Sequence, residues 1–430
     1  MKIAIAGYGI EGKSNFNYWN RPENSITIVD EHDIDNSPEG VDVMTGQGVF
    51  ARLDDFDMVI RTASLAPTKI STNGKIWSAT NEFFARCAER NIQIIGVTGT
   101  KGKGTTCSLI ASILRSAGET VHLVGNIGVP ALSILPEISE GDIVVYELSS
   151  FQLWDLEKSP QNSVVLMIEP DHLDVHASFD EYIMAKSNIA KHQTAQDMII
   201  YHPTNKYSHQ IAELSAGNKQ RYGIKDDDGV YVSEDKFFTG NHAICGVDTL
   251  HIAGVHNREN ACAAISAVKK FLPEVTNQQI AEGLSAFAGL PHRLKFAAEK
   301  NGVKYYDDSI ATTPGSALAA IRAFTQPKVL LLGGRDKGGD YRELFEVCRT
   351  QDVQVVAYGE NRQKLQDMMN QFGVNYVVES GDIRAVVRTA SSLAKPGSVV
   401  ILSPAASSFD MFKNYADRGE QFIRAIKEAP

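Results

Sequence analysis

Three times along 430 residues an apolar, β-type run ends in a turn rich in glycine or hydroxyl side chains and gives way to a helical pattern. The first is KIAIAGYGIEGKSNFNYW, followed by the strand SITIVD. The second, NIQIIGVTGTKGKGTTCSLIASILRSAG, continues through DIVVYELSS and SVVLMI, and the third contains PKVLLLGG, VQVVAYG and SVVILSP. Such a recurrence predicts an α/β chain of three domains. They are an N-terminal Rossmann-like domain over 1–90, a central P-loop ATPase-like domain with a mixed or parallel sheet over 91–289, and a C-terminal Rossmann-like domain over 290–430. The limits fall near Asn91, before the second glycine loop, and at the Gly289-Leu290-Pro291 turn that stops the helical stretch beginning ENACAAISAVKKFL. The polar stretch Lys225 to Asp228 reads as a hairpin loop.

Composition narrows the function. Lys+Arg 42 against Asp+Glu 52 gives a formal net charge of -10, so no general electrostatic footprint for nucleic acid or an anionic membrane exists. Any anionic ligand must be gripped locally. The N-terminal apolar run is short and leads directly into a glycine turn, unlike a secretory signal, and no segment approaches the roughly 18 apolar residues of a membrane span. The five cysteines lack CxxC spacing, which argues against a zinc cluster or disulfide framework. A cytoplasmic protein is expected.

The strongest chemical signal is GVTGTKGKGTT. Glycines between a strand and a helix turn backbone N–H groups toward one point, and the helix N-terminus adds partial positive charge, which is the geometry that binds phosphate. Gly99, Thr100, Lys101, Gly102 and Gly104 would form the cradle. Lys103 would reach the outer phosphates, and a hydroxyl from Thr105 or Thr106 could ligate Mg²⁺. Gly104 stands between the lysine and the threonines, where the usual pattern has none. Read blandly, the segment is a bare glycine turn.

A phosphoryl-transfer site needs a hard metal with oxygen ligands from neighbouring strand ends. Glu147 ends DIVVYE, and the serines after it, Ser149 and Ser150, read equally well as helix caps. Downstream, EPDHLDVHASFDEYIMAKSNIAKHQ places His172 at a strand end and Lys186 in a helix, where a lysine is expected to face solvent. In the first domain GYGIEG fits G-x-G-x-x-G, and Asp30 closes the next strand at the distance where a dinucleotide fold reads a ribose. Taken alone, that turn suggests a nicotinamide cofactor or no ligand at all.

These motifs, in this order, resemble the Mur ligases, ATP-dependent amide-forming enzymes of peptidoglycan synthesis, across essentially the whole chain. GTKGKGTT is similar to the family's ATP loop, GNIG (Gly125 to Gly128) to its acceptor loop, ELSSFQL to its metal-glutamate segment and DHLDVH to its metal-histidine segment. GLPHR, DDSIATTP, GGRDKGGD and SPAASSFDMFKNYADRG resemble the branch that adds D-glutamate to UDP-N-acetylmuramoyl-L-alanine.

The resemblance implies ATP, two Mg²⁺ sites, K⁺ as a further cofactor, and a CO₂-derived carbamate on Lys186. It implies a metal set of Thr105, Glu147, His172 and carbamylated Lys186, with Lys103 catalytic beside them. Asn260, Arg293 and Asp308 are implied as further nucleotide contacts; their bland readings are a helix-surface amide, an interdomain salt bridge and a loop cap. Gly9, Ile10, Glu11, Asp30, Ser64, Asn126 and Ser149 are implied for the nucleotide sugar, and Lys337, Thr312, Ser408 and Tyr415 for D-glutamate. Ile310 stands where many relatives carry lysine, and S-L-A-P (Ser64 to Pro67) where they often show S-P-G. A monomer that closes its third domain during turnover, with small-molecule partners only, is expected. A folylpolyglutamate synthase-like ligase is the alternative, on the Gly104 insertion; a nicotinamide oxidoreductase or a non-catalytic nucleotide-binding protein would leave most of these motifs without a role.

Overall fold

The computed structural model describes residues 1–430 except 35, 127–128, 226–227 and 430. The first sheet contains β1 (Lys2–Ala6), β2 (Ser25–Asp30), β3 (Asp42–Thr45), β4 (Met58–Arg61) and β5 (Lys75–Ser78), in the order β3-β2-β1-β4-β5. Every pairing is parallel. Ile3, Ile5, Ile28 and Ile60 are wholly buried, as strands covered on both faces require. The strand order reverses between β1 and β4, and the glycine turn of residues 7–12 opens the helix Ile10–Trp19 there. That crevice is where open α/β sheets hold ligands.

The second sheet contains β6 (Gln93–Thr98), β7 (Val121–Gly125), β8 (Ile143–Glu147), β9 (Asn162–Val165), β10 (Met198–Tyr201) and β11 (Asn218–Arg221). Its order is β11-β10-β9-β6-β8-β7, again all parallel. Here β6 is the switch point, because β8 and β9 lie on its two sides. The phosphate-loop sequence therefore leaves the sheet where its strand order reverses. The helix Lys103–Ser116 buries Leu109, Ile110, Ile113 and Leu114. Gly283 of the helix Asn277–Ala286 lies against it, where any Cβ would collide with the Ile113 backbone.

Three antiparallel strands follow, β12 (Val230–Ser233), β13 (Lys236–Thr239) and β14 (His242–Gly246). Of the expected Lys225–Asp228 hairpin, residues 226 and 227 lie outside the described residues. The helical stretch before the Gly/Pro turn is two helices, Val255–Phe271 and Asn277–Ala286. Pro273 between them cannot donate to a helix ladder.

The last sheet holds β15 (Lys295–Lys300), β16 (Val303–Asp307), β17 (Lys328–Gly333), β18 (Gln354–Tyr358), β19 (Tyr376–Val378) and β20 (Val399–Leu402). Its order is β15-β16-β20-β17-β18-β19; β15 pairs antiparallel with β16 as an edge hairpin, and the rest is parallel. The order reverses between β20 and β17.

Residue contacts divide the chain into two compact units, Met1–Thr249 with Arg258–Ala286, and Leu250–Asn257 with Phe287–Pro430. Within the first, one apolar cluster runs from Ile3, Phe16 and Trp77 to Tyr146, Leu148 and Tyr201, joining two sheets. Phe83 and Phe84 both pack on Tyr146, at ring separations of 5.6 Å. In the second unit, separate apolar clusters that include Leu330 and Leu332, and Leu331 and Leu402, pack the two faces of the sheet.

Candidate active site

The loop from β6 to its helix is built by two backbone positions. Gly99 has φ +154° and Gly102, the helix N-cap, has φ +85°, both conformations that side chains resist. A Cβ on Gly102 would also collide with Asn260 Oδ1, so the half-turn of helix Val255–Phe271 carrying Asn260 sits directly on the loop. Thr105 and Thr106 are buried in the first helical turn. Thr100 Oγ1 accepts from the Glu169 N–H at 2.9 Å, and the Thr100 N–H donates to Met167 O at 2.9 Å. Lys103 Nζ turns back over the loop and donates to Gly99 O (3.1 Å) and Thr100 O (3.0 Å).

Lys186 is the correction to the expectation from sequence. It is 1 % exposed, buried on the inner face of the helix Phe179–Lys191. Its Nζ donates to Gly99 O (3.0 Å) and Thr98 Oγ1 (3.3 Å) and lies 4.7 Å from the Tyr182 ring centroid. Burial above all, reinforced by the like charge of Lys103, holds its ammonium well below the ordinary lysine range against the opposing pull of Asp171 and Glu147. A lysine that sheds its proton readily is a nucleophile.

Glu147 closes β8 and is 4 % exposed. Asn126 Nδ2 reaches its Oε1 at 3.5 Å, and the Asn126 N–H donates to Glu147 O at 3.2 Å. Gly125, at φ +106°, permits this approach, because a Cβ there would strike Glu147 O and the Tyr146 ring. Ile127 and Gly128 of the acceptor loop lie outside the described residues. Ser149 does cap: it is the N-cap of Ser150–Leu153 in a reciprocal box with Gln152.

His172 lies in the segment beyond β9 instead of at the strand end, at φ +53°. Its side chain is half-exposed and rests on the Phe151 ring, 4.9 Å between centroids. The buried histidine is its neighbour His176, which bonds Ser150 Oγ at 3.0 Å and stacks on Phe151; burial pushes its pKa down.

Hard oxygen donors here fit Mg²⁺: the Glu147 carboxylate and the Thr105 hydroxyl are buried beside the loop. Among the described residues no group of three His, Cys, Asp or Glu gathers to hold a metal. Glu147 and Thr105 are the protein oxygens that would hold such an ion.

At the first sheet's crevice, Gly9 is the N-cap of Ile10–Trp19, Ile10 is 84 % exposed, and Ser64 is exposed beyond β4. Asp30 accepts from the Tyr8 N–H (2.8 Å) and the His32 N–H (3.0 Å). Partial burial raises its pKa, but these bonds and His32 outweigh it and leave the carboxyl below its usual range. Glu11 accepts from the Ala63 N–H at 2.8 Å, and burial raises its pKa despite that bond and Arg61.

In the second unit, Asp308 is buried after β16. Its Oδ2 accepts from Ser403 Oγ (2.7 Å) and its Oδ1 from the Leu294 N–H (3.0 Å). Burial pushes its pKa up to about 7, against those bonds and Arg293. Arg293 is exposed, Lys337 is exposed on the loop after β17, and Thr312 is half-buried. Ser408 is 2 % exposed, whereas Tyr415 is 42 % exposed at the start of the last helix. Wholly buried Arg418 ties these segments together, donating from Nε to Ser309 Oγ (2.9 Å) and from Nη2 to Ser309 O and Ala406 O. Ser309 Oγ in turn donates to Tyr415 O at 2.8 Å.

Sequence reasoning missed Thr98, Tyr182, His176, Ser403 and Arg418. Tyr182 alone left a signal, standing four residues before Lys186 and so on the same helical face.

Residues 97–268 match the family model described as Mur ligase middle domain, and 292–406 that described as Mur ligase, glutamate ligase domain. UDP-N-acetylmuramoylalanine--D-glutamate ligase of Clostridium kluyveri is 32% identical over 448 residues, 99% of this chain and 96% of that protein. The protein of the same name from Clostridium perfringens is 35% identical over 400 residues, 90% and 86% respectively. Among solved structures, the MurF ligase of Thermotoga maritima in complex with ADP superposes with a TM-score of 0.61 at 16% identity, over 99% of this chain and 93% of that one.

Proposed function

The chain belongs to the Mur ligase family, whose members are ATP-dependent ligases, and on that footing we propose that it joins D-glutamate to UDP-N-acetylmuramoyl-L-alanine through an acyl phosphate. The observation that carries the chemistry is the gathering of Lys103, Lys186, Glu147 and the Gly99–Thr106 loop at the switch point of one parallel sheet. The substrate assignment is supported by the likeness to the two clostridial ligases along nearly the whole chain.

In this reading the loop N–H groups and Lys103 hold the phosphates of ATP and stabilise charge on the transferring phosphoryl group. The acceptor carboxylate attacks that group and ADP departs. The D-glutamate amine then attacks the acyl carbon, and phosphate leaves. Lys186, as the neutral amine, would take up CO₂ through a new N–C bond and release one proton to solvent, which leaves one N–H for Gly99 O or Thr98 Oγ1 and a carbamate carboxylate that would serve as a metal ligand. Thr105, Glu147, His172 and that carbamate would hold two Mg²⁺ ions, which would neutralise charge on the transferring phosphoryl group; K⁺ belongs to the same proposal.

Asn260, Arg293 and Asp308 are assigned to the nucleotide, Gly9, Ile10, Glu11, Asp30, Ser64, Asn126 and Ser149 to the nucleotide sugar, and Lys337, Thr312, Ser408 and Tyr415 to D-glutamate. Domain limits near residues 90 and 289, a monomeric state and a cytoplasmic site of action complete the proposal. Among the described residues no helix is long and apolar enough to cross a membrane.

The test is phosphate release from ATP with Mg²⁺ and the nucleotide sugar, comparing D-glutamate, L-glutamate and other amino acids. Release that requires both the nucleotide sugar and D-glutamate is expected. Release only with another amino acid or with a folate would overturn the substrate assignment.

A further inference from the structure

Arg61, the last residue of β4, is wholly buried, and its guanidinium serves two segments far apart in sequence. Nε and Nη2 grip both oxygens of Asp155, at 2.7 and 2.5 Å, and Nη2 also donates to Phe151 O at 2.9 Å. Nη1 donates to Thr62 O (3.3 Å), Ala63 O (3.2 Å) and Leu65 O (3.2 Å), folding the turn after β4 around itself. Asn81 strengthens the Asp155 side, donating to Asp155 O and accepting from the Glu157 N–H, both at 2.9 Å.

Each segment leads to a different part of the proposed site. The 62–65 turn carries Ser64, and the Ala63 N–H donates to Glu11 in the glycine turn. Phe151 lies in the short helix capped by Ser149, and its ring supports His172 and His176. A buried ion pair adds little net stability, because desolvation offsets the attraction, whereas a two-pronged arginine fork fixes orientation tightly. The geometric consequence therefore outweighs the energetic one.

We propose that Arg61 is a positioning residue that sets the spacing between the crevice holding the nucleotide end of the acceptor and the site where its carboxylate is phosphorylated. It acts through the 62–65 turn on one side and the Phe151–Asp155 segment on the other. The inference rests on the function proposed above, so the wild-type enzyme's turnover with the nucleotide sugar checks that reading separately.

The experiment compares full-length Arg61→Lys, which keeps the charge and loses the fork, with Asp155→Asn, which keeps the shape and weakens the grip. Steady-state kinetics should show the KM for UDP-N-acetylmuramoyl-L-alanine raised tenfold or more. The KM for ATP and for D-glutamate should stay within twofold of wild type. Amide exchange should show the 62–65 and 149–155 segments losing protection together in both variants. Unchanged acceptor KM in the folded variants, or equal shifts in all three KM values, overturns the proposal. If wild type does not use this acceptor, the exchange measurement decides alone: loss of protection in one segment without the other refutes the coupling.

Discussion

Replacing Asp308 by asparagine should make the second unit less stable in acid and more stable above neutrality. Burial raises this carboxyl from an ordinary 3.8 to about 7. Each tenfold change in proton affinity is worth about 1.4 kcal/mol, so the ionised carboxylate costs the folded state about 4 kcal/mol relative to the protonated one. The folded state holds the proton between about pH 4 and 7 while the unfolded chain has released it, so wild-type stability falls across that window and levels off above it. Asparagine has no such proton. It keeps the bond from the Leu294 N–H and weakens the one from Ser403, a loss of about 1 kcal/mol. The variant should therefore lie about 1 kcal/mol below wild type at pH 4 and about 3 kcal/mol above it at pH 8, the balance of these two effects. Urea-dependent proteolysis with fragments identified by mass follows this unit. Tryptophan fluorescence serves as the control, since Trp19, Trp77 and Trp154 all lie in the first unit. Parallel stability curves for the two proteins across pH 4 to 8 would refute the buried-carboxyl argument.

Lys186→Ala should abolish ligase activity and regain part of it with added short carboxylic acids, and wild-type activity should fall in CO₂-depleted buffer; full activity of the variant in a phosphate-release assay would remove the carbamate from the mechanism. His172→Ala should raise the Mg²⁺ concentration for half-maximal activity roughly tenfold to a hundredfold, as lost ligand-shell groups do, read from a metal titration at saturating ATP. Gly419→Ala should destabilise the second unit by about 1 to 3 kcal/mol through overpacking, because its Cβ would meet His292 Nδ1 and lie 2.7 Å from Asp307 Oδ2. Thermal unfolding of that variant at the wild-type temperature would show that the His292–Asp307 pair, 2.7 Å apart, can yield.

Much of the site was legible because its chemistry is local. The phosphate loop needs a strand, glycines at left-handed positions and a helix start within a dozen residues, and GVTGTKGKGTT contains all three in order. Glu147 was legible for the same reason, as the carboxylate that ends a continuous apolar run. Lys186 and His172 were not legible in their surroundings. Tyr182, one turn earlier, marks the face of the helix that Lys186 shares but not what covers that face, since Thr98 and Gly99 come from another element, and DHLDVH offers two histidines with no local signal for which one is buried.

By itself the sequence determined the α/β layering, the two switch-point glycine turns and the residue types able to hold phosphate, because these depend on periodicity and backbone conformation within short windows. Tertiary structure decided the protonation behaviour of Lys186 and Asp308, the choice of His176 as the buried imidazole, and the Arg61–Asp155 grip between residues 94 apart. Those properties come from desolvation and from partners on distant strands, and both exist only once the chain has packed.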